Sequence, residues 1–303
     1  MCLKMKKKII AAAAAVIMLS AGFLAASYFY MNKKLHEPPA NSPAAFLAGP
    51  AAPGTRTVVC LGDSVTRGSV SANFVDMLSS RMNGKGYVFV NAGVNTELAY
   101  NASLRTGEVA GCRPDFVVVL IGTNDLNATL SPSGMKHYIR SMALPKRPDI
   151  GWYRENMEKI CSGLRDKTSA MIAVMSIPVI GEDPGSAGFT GSARYAAVAK
   201  ETALKFGAAY LPLNEMMRDA IIASGARARG RYERDYPAAM YMGLIRRHIL
   251  RMDFAEISDK YGFMLLTDFI HLNERGAGMA ADLVEGFLLG GCTVKKTREG
   301  RKT

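Results

Sequence analysis

One serine, one aspartate and one histidine are spaced as nucleophilic catalysis would require. Ser64 ends a Gly-Asp-Ser sequence that directly follows the apolar run Thr57–Leu61, so we expect it at the mouth of a strand. Far downstream, Asp268 lies three residues before His271. A serine hydroxyl is a weak nucleophile until a base takes its proton, and histidine is the side chain that normally titrates near neutral pH. The spacing therefore predicts a nucleophile, its base and an orienting carboxylate.

The elements around these residues alternate between strand-like apolar runs and helix-like stretches. The runs are short, rich in Val and Ile and mostly unbroken, which is typical of strands covered on both faces. Predicted strands are 57–61, 87–91, 115–122, 170–178 and 208–211. Predicted helices are 73–83, 97–109, 153–167, 193–206, 214–224 and 274–289. This alternation indicates right-handed crossovers and a parallel sheet, so the predicted fold class is α/β, a three-layer α/β/α, flavodoxin-like domain.

Three polar segments fall at or just past the ends of predicted strands. They are Ser64, the segment 91–93 and the segment 122–125. In open α/β sheets the ligand site lies beyond the carboxyl ends of the strands, so we expect the three segments to meet there. Ser64 lacks the Gly-x-Ser-x-Gly setting of the α/β-hydrolase nucleophile elbow, which argues against that larger fold.

Four short blocks resemble those of the SGNH, or GDSL, hydrolases, in the same order across about 210 residues. The blocks are Gly62-Asp63-Ser64-Val65-Thr66-Arg67-Gly68, Asn91-Ala92-Gly93, Gly122-Thr123-Asn124-Asp125 and Asp268-Phe269-Ile270-His271. The resemblance implies an SGNH fold and a serine esterase or acylhydrolase. Its catalytic triad would be Ser64, His271 and Asp268. Its oxyanion hole would be formed by the backbone N–H groups of Ser64 and Gly93 and the side-chain amide of Asn124.

Each block has an ordinary structural interpretation when it is taken alone. The first could be a helix N-cap pair, the second a plain turn, the third a capped turn and the fourth a surface pair. Four such turns in this order are hard to reconcile with chance, which favours the catalytic interpretation. Further candidates for the substrate rim or for supporting contacts are Asp63, Arg67, Asp125 and Asn127.

Two stretches are not required by the sheet. Residues 130–150 contain three prolines, which predicts a loop excursion after the third strand. Residues 225–262 form a helical, Arg-rich insertion just before the Asp268–His271 block. Its arginines could bind an anionic headgroup or form a solvated basic face. Its apolar residues could line an acyl pocket or simply pack on the domain; they are Met240, Met242, Leu244 and Ile245.

The N-terminus predicts a membrane segment. Ile9–Tyr30 holds no charged residue, and its 22 residues would span about 33 Å as a helix. Four lysines precede the run and two follow it, a bias that places the N-terminus in the cytoplasm and the rest outside. Residues 1–30 are therefore a transmembrane anchor or, alternatively, a cleaved signal peptide that leaves a secreted or periplasmic protein.

The remaining predicted organisation is a Pro/Ala-rich, extended linker over 31–56, a hydrolase domain over 57–292 and a basic tail over 293–303. The formal net charge of +12 is concentrated at the two ends and in the insertion, so a domain-wide nucleic-acid surface is excluded. None of the five cysteines forms a CxxC pair, so no zinc site is expected.

The sequence thus predicts an exported, membrane-anchored serine esterase or acylhydrolase that needs no metal or organic cofactor. Its partners would be the membrane and an acyl-ester substrate, either a lipid or an acylated envelope glycan. Two alternatives stay open. One is an O-acyltransferase or deacetylase acting on envelope glycans, and the other is an inactive surface binding module.

Overall fold

Five parallel strands form the centre of the computed structural model, which describes residues 18, 21–23, 25–30, 32–49, 53–225 and 228–290. The strands are β1 (Arg56–Gly62), β2 (Tyr87–Gly93), β3 (Phe116–Leu120), β4 (Met171–Met175) and β5 (Ala209–Leu211). Their order in the sheet is β2-β1-β3-β4-β5. Each strand overlaps a predicted one, and the predicted parallel pairing is confirmed.

Helices flank the sheet, which confirms the predicted α/β/α class. In chain order they are α1 (Pro43–Ala48), α2 (Ser64–Arg67), α3 (Phe74–Arg81), α4 (Ala99–Ser103), α5 (Thr106–Gly111), α6 (Thr123–Thr129), α7 (Pro132–Ser141), α8 (Ile150–Lys167), α9 (Ala187–Lys205), α10 (Leu213–Ser224), α11 (Tyr232–His248), α12 (Phe254–Asp259) and α13 (Glu274–Leu288). Helix α13 contacts both α3 and α10, and helix α8 contacts both α5 and α9.

The register of the three central strands aligns their carboxyl ends. Gly62, the last residue of β1, lies opposite Gly93 of β2 and Leu120 of β3. The segments that follow these strands therefore start from the same edge of the sheet. Because β1 is central and its residues 57–62 are buried, this edge is anchored in the core.

The predicted loop over 130–150 is wrong at Pro132–Ser141, where the chain forms α7. Ser131 caps this helix by accepting a hydrogen bond from the Gly134 N–H at 3.0 Å. Pro132 occupies the first helical turn, where its missing N–H costs nothing. One of the three prolines that suggested a loop therefore marks the start of a helix.

The predicted extended linker is also wrong over 32–49. Residues 32–36 are helical, and α1 follows after a short turn. The segment lies along β2, where the Asn91 N–H donates to the Asn41 carbonyl at 2.9 Å and Asn41 Nδ2 donates to the Phe89 carbonyl. Ser42 and Pro43 are buried.

The guanidinium of Arg67 holds the end of the helical stretch 32–36. It donates to the carbonyl groups of Lys34, Leu35 and Glu37, while Asn95 Nδ2 donates to the Leu35 carbonyl at 2.9 Å. The last carbonyl groups of a helix have no partner within it, so Arg67 acts as a C-terminal cap from another element. Arg67 therefore supports the N-terminal segment and does not line the cavity that opens at Ser64.

Residues 225–262 contain α11 and α12, in keeping with the predicted helical insertion. Most of the apolar run Ile9–Tyr30 and the basic tail 293–303 lie outside the described residues. Among the residues that are described, no helix has the length and apolarity needed to cross a membrane.

We expect Arg67→Ala to lower the free energy of unfolding by about 2–3 kcal/mol, because charged hydrogen bonds contribute roughly 1.5–3 kcal/mol. Urea unfolding followed by circular dichroism measures this change. Arg147→Ala is the matched control, since Arg147 is exposed. Equal midpoints for the two variants would contradict the capping role.

Candidate active site

Ser64, His271 and Asp268 form one continuous chain of hydrogen bonds. Ser64 Oγ lies 2.9 Å from His271 Nε2. His271 Nδ1 lies 2.8 Å from Asp268 Oδ2. All three residues are buried, with at most 8% of their surface exposed. His271 thus meets a serine 207 positions away, with Asp268 behind it, in the order that general-base activation of a hydroxyl requires.

The backbone around Asp268 and His271 forms a tight, internally bonded turn. Asp268 Oδ1 accepts the N–H groups of Ile270 at 2.7 Å and His271 at 2.9 Å. The Thr267 N–H donates to the His271 carbonyl at 2.7 Å. One carboxylate therefore shapes the turn with one oxygen and orients the imidazole with the other, which is the physical use of the three-residue spacing.

Glu182, which follows β4 in the chain, holds the backbone just before this turn. It was not among the residues predicted from sequence. Its buried carboxylate accepts the N–H of Met264 at 2.6 Å, of Leu265 at 2.7 Å and of Leu266 at 2.8 Å. Burial raises its pKa even though these three donors oppose the shift. Sequence offered no signal for this role, because Glu182 is more than 80 positions from its partners.

The charges of the pair stabilise each other. Burial alone would lower the pKa of His271, but the nearby Asp268 carboxylate and its hydrogen bond outweigh burial and raise it. Burial alone would raise the pKa of Asp268, but the imidazole and the two N–H donors lower it. The geometry thus favours an imidazolium beside a carboxylate, the state that a proton transfer from Ser64 to His271 would produce.

Gly93 does not reach the cavity beside Ser64. Its N–H donates to Asn91 Oδ1 at 3.0 Å. A Cβ at position 93 would lie 2.3 Å from the Arg67 nitrogen, so the glycine allows close packing of β2 under α2. The need for glycine was predicted, but its reason is packing against the nucleophile helix.

Thr96, three positions after Gly93, was not among the predicted site residues. The Glu97 N–H donates to the Val94 carbonyl at 3.4 Å and closes a turn, in which Thr96 has φ of +70°. A β-branched residue rarely adopts this left-handed conformation, and such outliers concentrate at functional sites. Thr96 lines the cavity together with Ser64 and Asn124.

Asn124 is placed in the cavity wall as predicted. Its Nδ2 donates to the Glu97 carbonyl at 2.9 Å, and its Oδ1 accepts the Tyr138 hydroxyl at 2.7 Å. An amide nitrogen carries two hydrogens, so one donor of Nδ2 remains beyond the bond to Glu97. Asn124 is buried, and both neighbours fix its amide plane.

Asp63 and Asp125 lie beneath the site and do not line the cavity. Asp63 caps α2 by accepting the Val65 N–H at 2.9 Å, and Asp125 Oδ2 accepts the Ala99 N–H at 2.9 Å. Burial raises the pKa of each to about 7. Because each accepts a backbone N–H, both carboxyl groups position the backbone around the site. They make supporting contacts and do not form the substrate rim.

Asn127 joins three tyrosines at the cavity wall. Its Nδ2 donates to the hydroxyls of Tyr138 at 2.8 Å and Tyr236 at 3.0 Å, and its Oδ1 accepts the Tyr232 hydroxyl. Tyr232 and Tyr236 come from α11 of the insertion and stack with ring centroids 4.8 Å apart. The rim position predicted for Asn127 is thus also a junction between α6, α7 and the insertion.

A cavity of about 400 Å³ opens in front of Ser64 and His271. The insertion supplies much of its wall, through Tyr232, Tyr236, Met240, Tyr241 and Leu244. Leu35 closes another side from the N-terminal segment. Of the apolar insertion residues considered for an acyl pocket, Met240 and Leu244 line the cavity, while Met242 and Ile245 do not.

No group of three or more His, Cys, Asp or Glu side chains in the described ranges is placed to hold a metal ion. The groups beside the cavity include hydrogen-bond donors, the Ser64 hydroxyl and one imidazole–carboxylate pair. Such a set can activate a nucleophile and bind developing negative charge.

The GDSL-like lipase/acylhydrolase family matches residues 60–278. An acetylxylan esterase from Geobacillus stearothermophilus, solved as a catalytic mutant, shares 16% identity with a TM-score of 0.53; the match covers 76% of this chain and 93% of that one. A lipase/acylhydrolase from Enterococcus faecalis shares 17% identity with a TM-score of 0.50, covering 80% and 100%. At such identities the likeness shows the fold. No curated protein gives a significant match.

Asp268→Asn should lower the pKa of His271, because the attraction that outweighs burial is removed while burial remains. In the wild-type chain the imidazole should titrate above pH 6.5, its ordinary value, and in the variant at lower pH. The ring Cε1–H resonance, followed by NMR against pH, measures both. Asp259→Asn, at an exposed carboxylate, should leave the His271 titration unchanged. Identical titrations in Asp268→Asn and the wild type would rule out the coupling.

Proposed function

The chain belongs to the GDSL-like lipase/acylhydrolase family of ester-hydrolysing enzymes, and on that premise we propose that it is a serine esterase with Ser64 as nucleophile. The observation that carries the proposal is the buried chain of hydrogen bonds from Asp268 through His271 to Ser64, which ends at the cavity. His271 acts as base and then as acid, and Asp268 orients it.

The reaction proceeds in two steps. Ser64 Oγ attacks the acyl carbonyl while His271 Nε2 takes the hydroxyl proton. The tetrahedral intermediate collapses as the ester's C–O bond breaks, and His271 returns the proton to the departing alcohol. Water then attacks the acyl-enzyme with the same base and releases the acid and free Ser64.

Three donors face the oxyanion in this proposal. Ser64 occupies the first position of α2, where its N–H has no partner within the helix. Asn124 Nδ2 supplies its remaining hydrogen. Thr96 supplies a backbone N–H from the left-handed turn, in place of Gly93, whose N–H is already bonded to Asn91. Loss of one such donor costs roughly 10²–10³ in rate in hydrolases that use them.

The substrate class is an acyl ester. The cavity presents polar groups beside Ser64 and an apolar wall from α11, a division that suits an acyl group attached to a polar alcohol. Two of the structurally similar proteins are acetylxylan esterases and another is a lipase/acylhydrolase. We therefore propose two candidate substrate types, acylated envelope glycans and lipid esters.

We further propose that the enzyme is exported and anchored through its N-terminal helix. The charge-free run Ile9–Tyr30 and the lysines before it support this topology. Within the described part of that run, Phe23, Tyr28 and Phe29 leave more than 60% of their surface exposed. Aromatic side chains near the end of an apolar helix are typical of a membrane interface.

Ser64→Ala should reduce hydrolysis of p-nitrophenyl acetate by the full-length protein by roughly 10⁴-fold or more, because the covalent route is lost. It should also abolish labelling by a fluorophosphonate. Ser133→Ala is the control, since Ser133 lies on the same cavity without contacting His271. Equal rates and equal labelling in wild type and Ser64→Ala would refute the proposal. Product analysis with an added glycan acceptor separates hydrolysis from acyl transfer.

Protease added to intact cells, or to spheroplasts where an outer membrane is present, should degrade the hydrolase domain. Replacing the four lysines before Ile9 with glutamine should protect part of the population, because the bias that orients the helix is removed. Immunoblotting of the domain measures both effects. Complete protection of the wild-type domain would overturn the proposed export.

A further inference from the structure

A side-chain amide can stabilise an oxyanion only if its nitrogen faces the substrate. The Glu97 carbonyl can only accept, so the atom of Asn124 that lies 2.9 Å from it must be Nδ2. The opposite end is then Oδ1, which lies 2.7 Å from the Tyr138 hydroxyl. Tyr138 must donate to it, because an amide oxygen has no hydrogen.

The direction of the next bond follows from this one. A tyrosine hydroxyl has a single hydrogen, and Tyr138 uses it on Asn124. Tyr138 must therefore accept the bond from Asn127 Nδ2, which lies 2.8 Å away. Asn127 in turn accepts at Oδ1 from Tyr232 and donates to Tyr236, both on α11. Every bond in this chain thus has one possible direction.

We propose that Tyr138 is a positioning residue that holds the Asn124 amide toward the oxyanion, and that α11 of the insertion sets it through Asn127. This inference rests on the proposed esterase function. Tyr138 is 6% exposed, so its bond to Asn124 is made by a largely desolvated side chain, where loss of a partner is costly. Tyr138 and Asn127 lie outside the triad. Their hydrogen bonds link α11 of the insertion to the Asn124 amide, the proposed oxyanion donor.

Tyr138→Phe removes the hydroxyl and keeps the ring. We expect kcat for p-nitrophenyl acetate to fall about tenfold, part of the roughly 10²–10³ expected for loss of the whole donor, with KM changed less than about twofold. Tyr87→Phe is the matched control, because it also removes one tyrosine hydroxyl that donates to a carbonyl oxygen, here that of Leu288. Tyr87 is the first residue of β2 and does not line the cavity. It should leave kcat unchanged.

A double-mutant cycle isolates the positioning role. In an Asn124→Ala background, Tyr138→Phe should have no further effect on kcat, because the group it positions is gone. An equal tenfold loss in both backgrounds would show that Tyr138 acts on the substrate itself and would overturn the inference. A rise in KM without a fall in kcat, or no change at all, would also overturn it.

Asn127→Ala provides a second route should Tyr138→Phe fold poorly. It should lower kcat in the same direction and lose its effect when combined with Asn124→Ala. The side-chain amide signal of Asn124 in a ¹⁵N NMR spectrum should also shift or broaden in Tyr138→Phe, a readout that needs no turnover; an unchanged signal would contradict the inference. A wild-type chain with no Ser64-dependent activity would instead refute the esterase proposal.

Discussion

Parallel pairing of β1 with β2 and β3 is the constraint on which the site depends. Because Gly62 lies opposite Gly93 and Leu120, the chain leaves all three strands at one edge. Hydrogen bonds between strands fix this register, and a shift by one residue would turn every following side chain toward the other face. The nucleophile, the Thr96 turn and the Asn124 amide therefore share one rigid base.

The imidazole comes from outside this edge and is held by buried carboxylates. Asp268 shapes its own turn and faces His271, while Glu182 binds three consecutive backbone N–H groups just before it. Asp63 performs a similar task at the start of the nucleophile helix. Each of these buried carboxyl groups accepts at least one backbone N–H, so positions in the site are set by interactions that are costly to break.

The two elements added to the sheet, the insertion and the N-terminal segment, both reach the cavity. Helix α11 contributes the apolar wall and the tyrosine pair that binds Asn127. The N-terminal segment contributes Leu35 to the wall, and Arg67, on the same short helix as Ser64, caps this segment. An active-site wall built from these elements can differ between members of a family while the sheet remains constant.

The strand–helix alternation, the parallel sheet and the four polar blocks could be predicted from sequence, because they depend on neighbouring residues and on the period of apolar side chains. That Thr96, and not Gly93, lines the cavity became visible in the folded chain alone, because a threonine with positive φ carries no sequence signal. The roles of Glu182 and Tyr138 were also invisible in the sequence, because Glu182 binds Met264 across 82 positions and Tyr138 binds Asn124 across 14. Local patterns specify which groups the chain has, whereas long-range packing decides which of them meet.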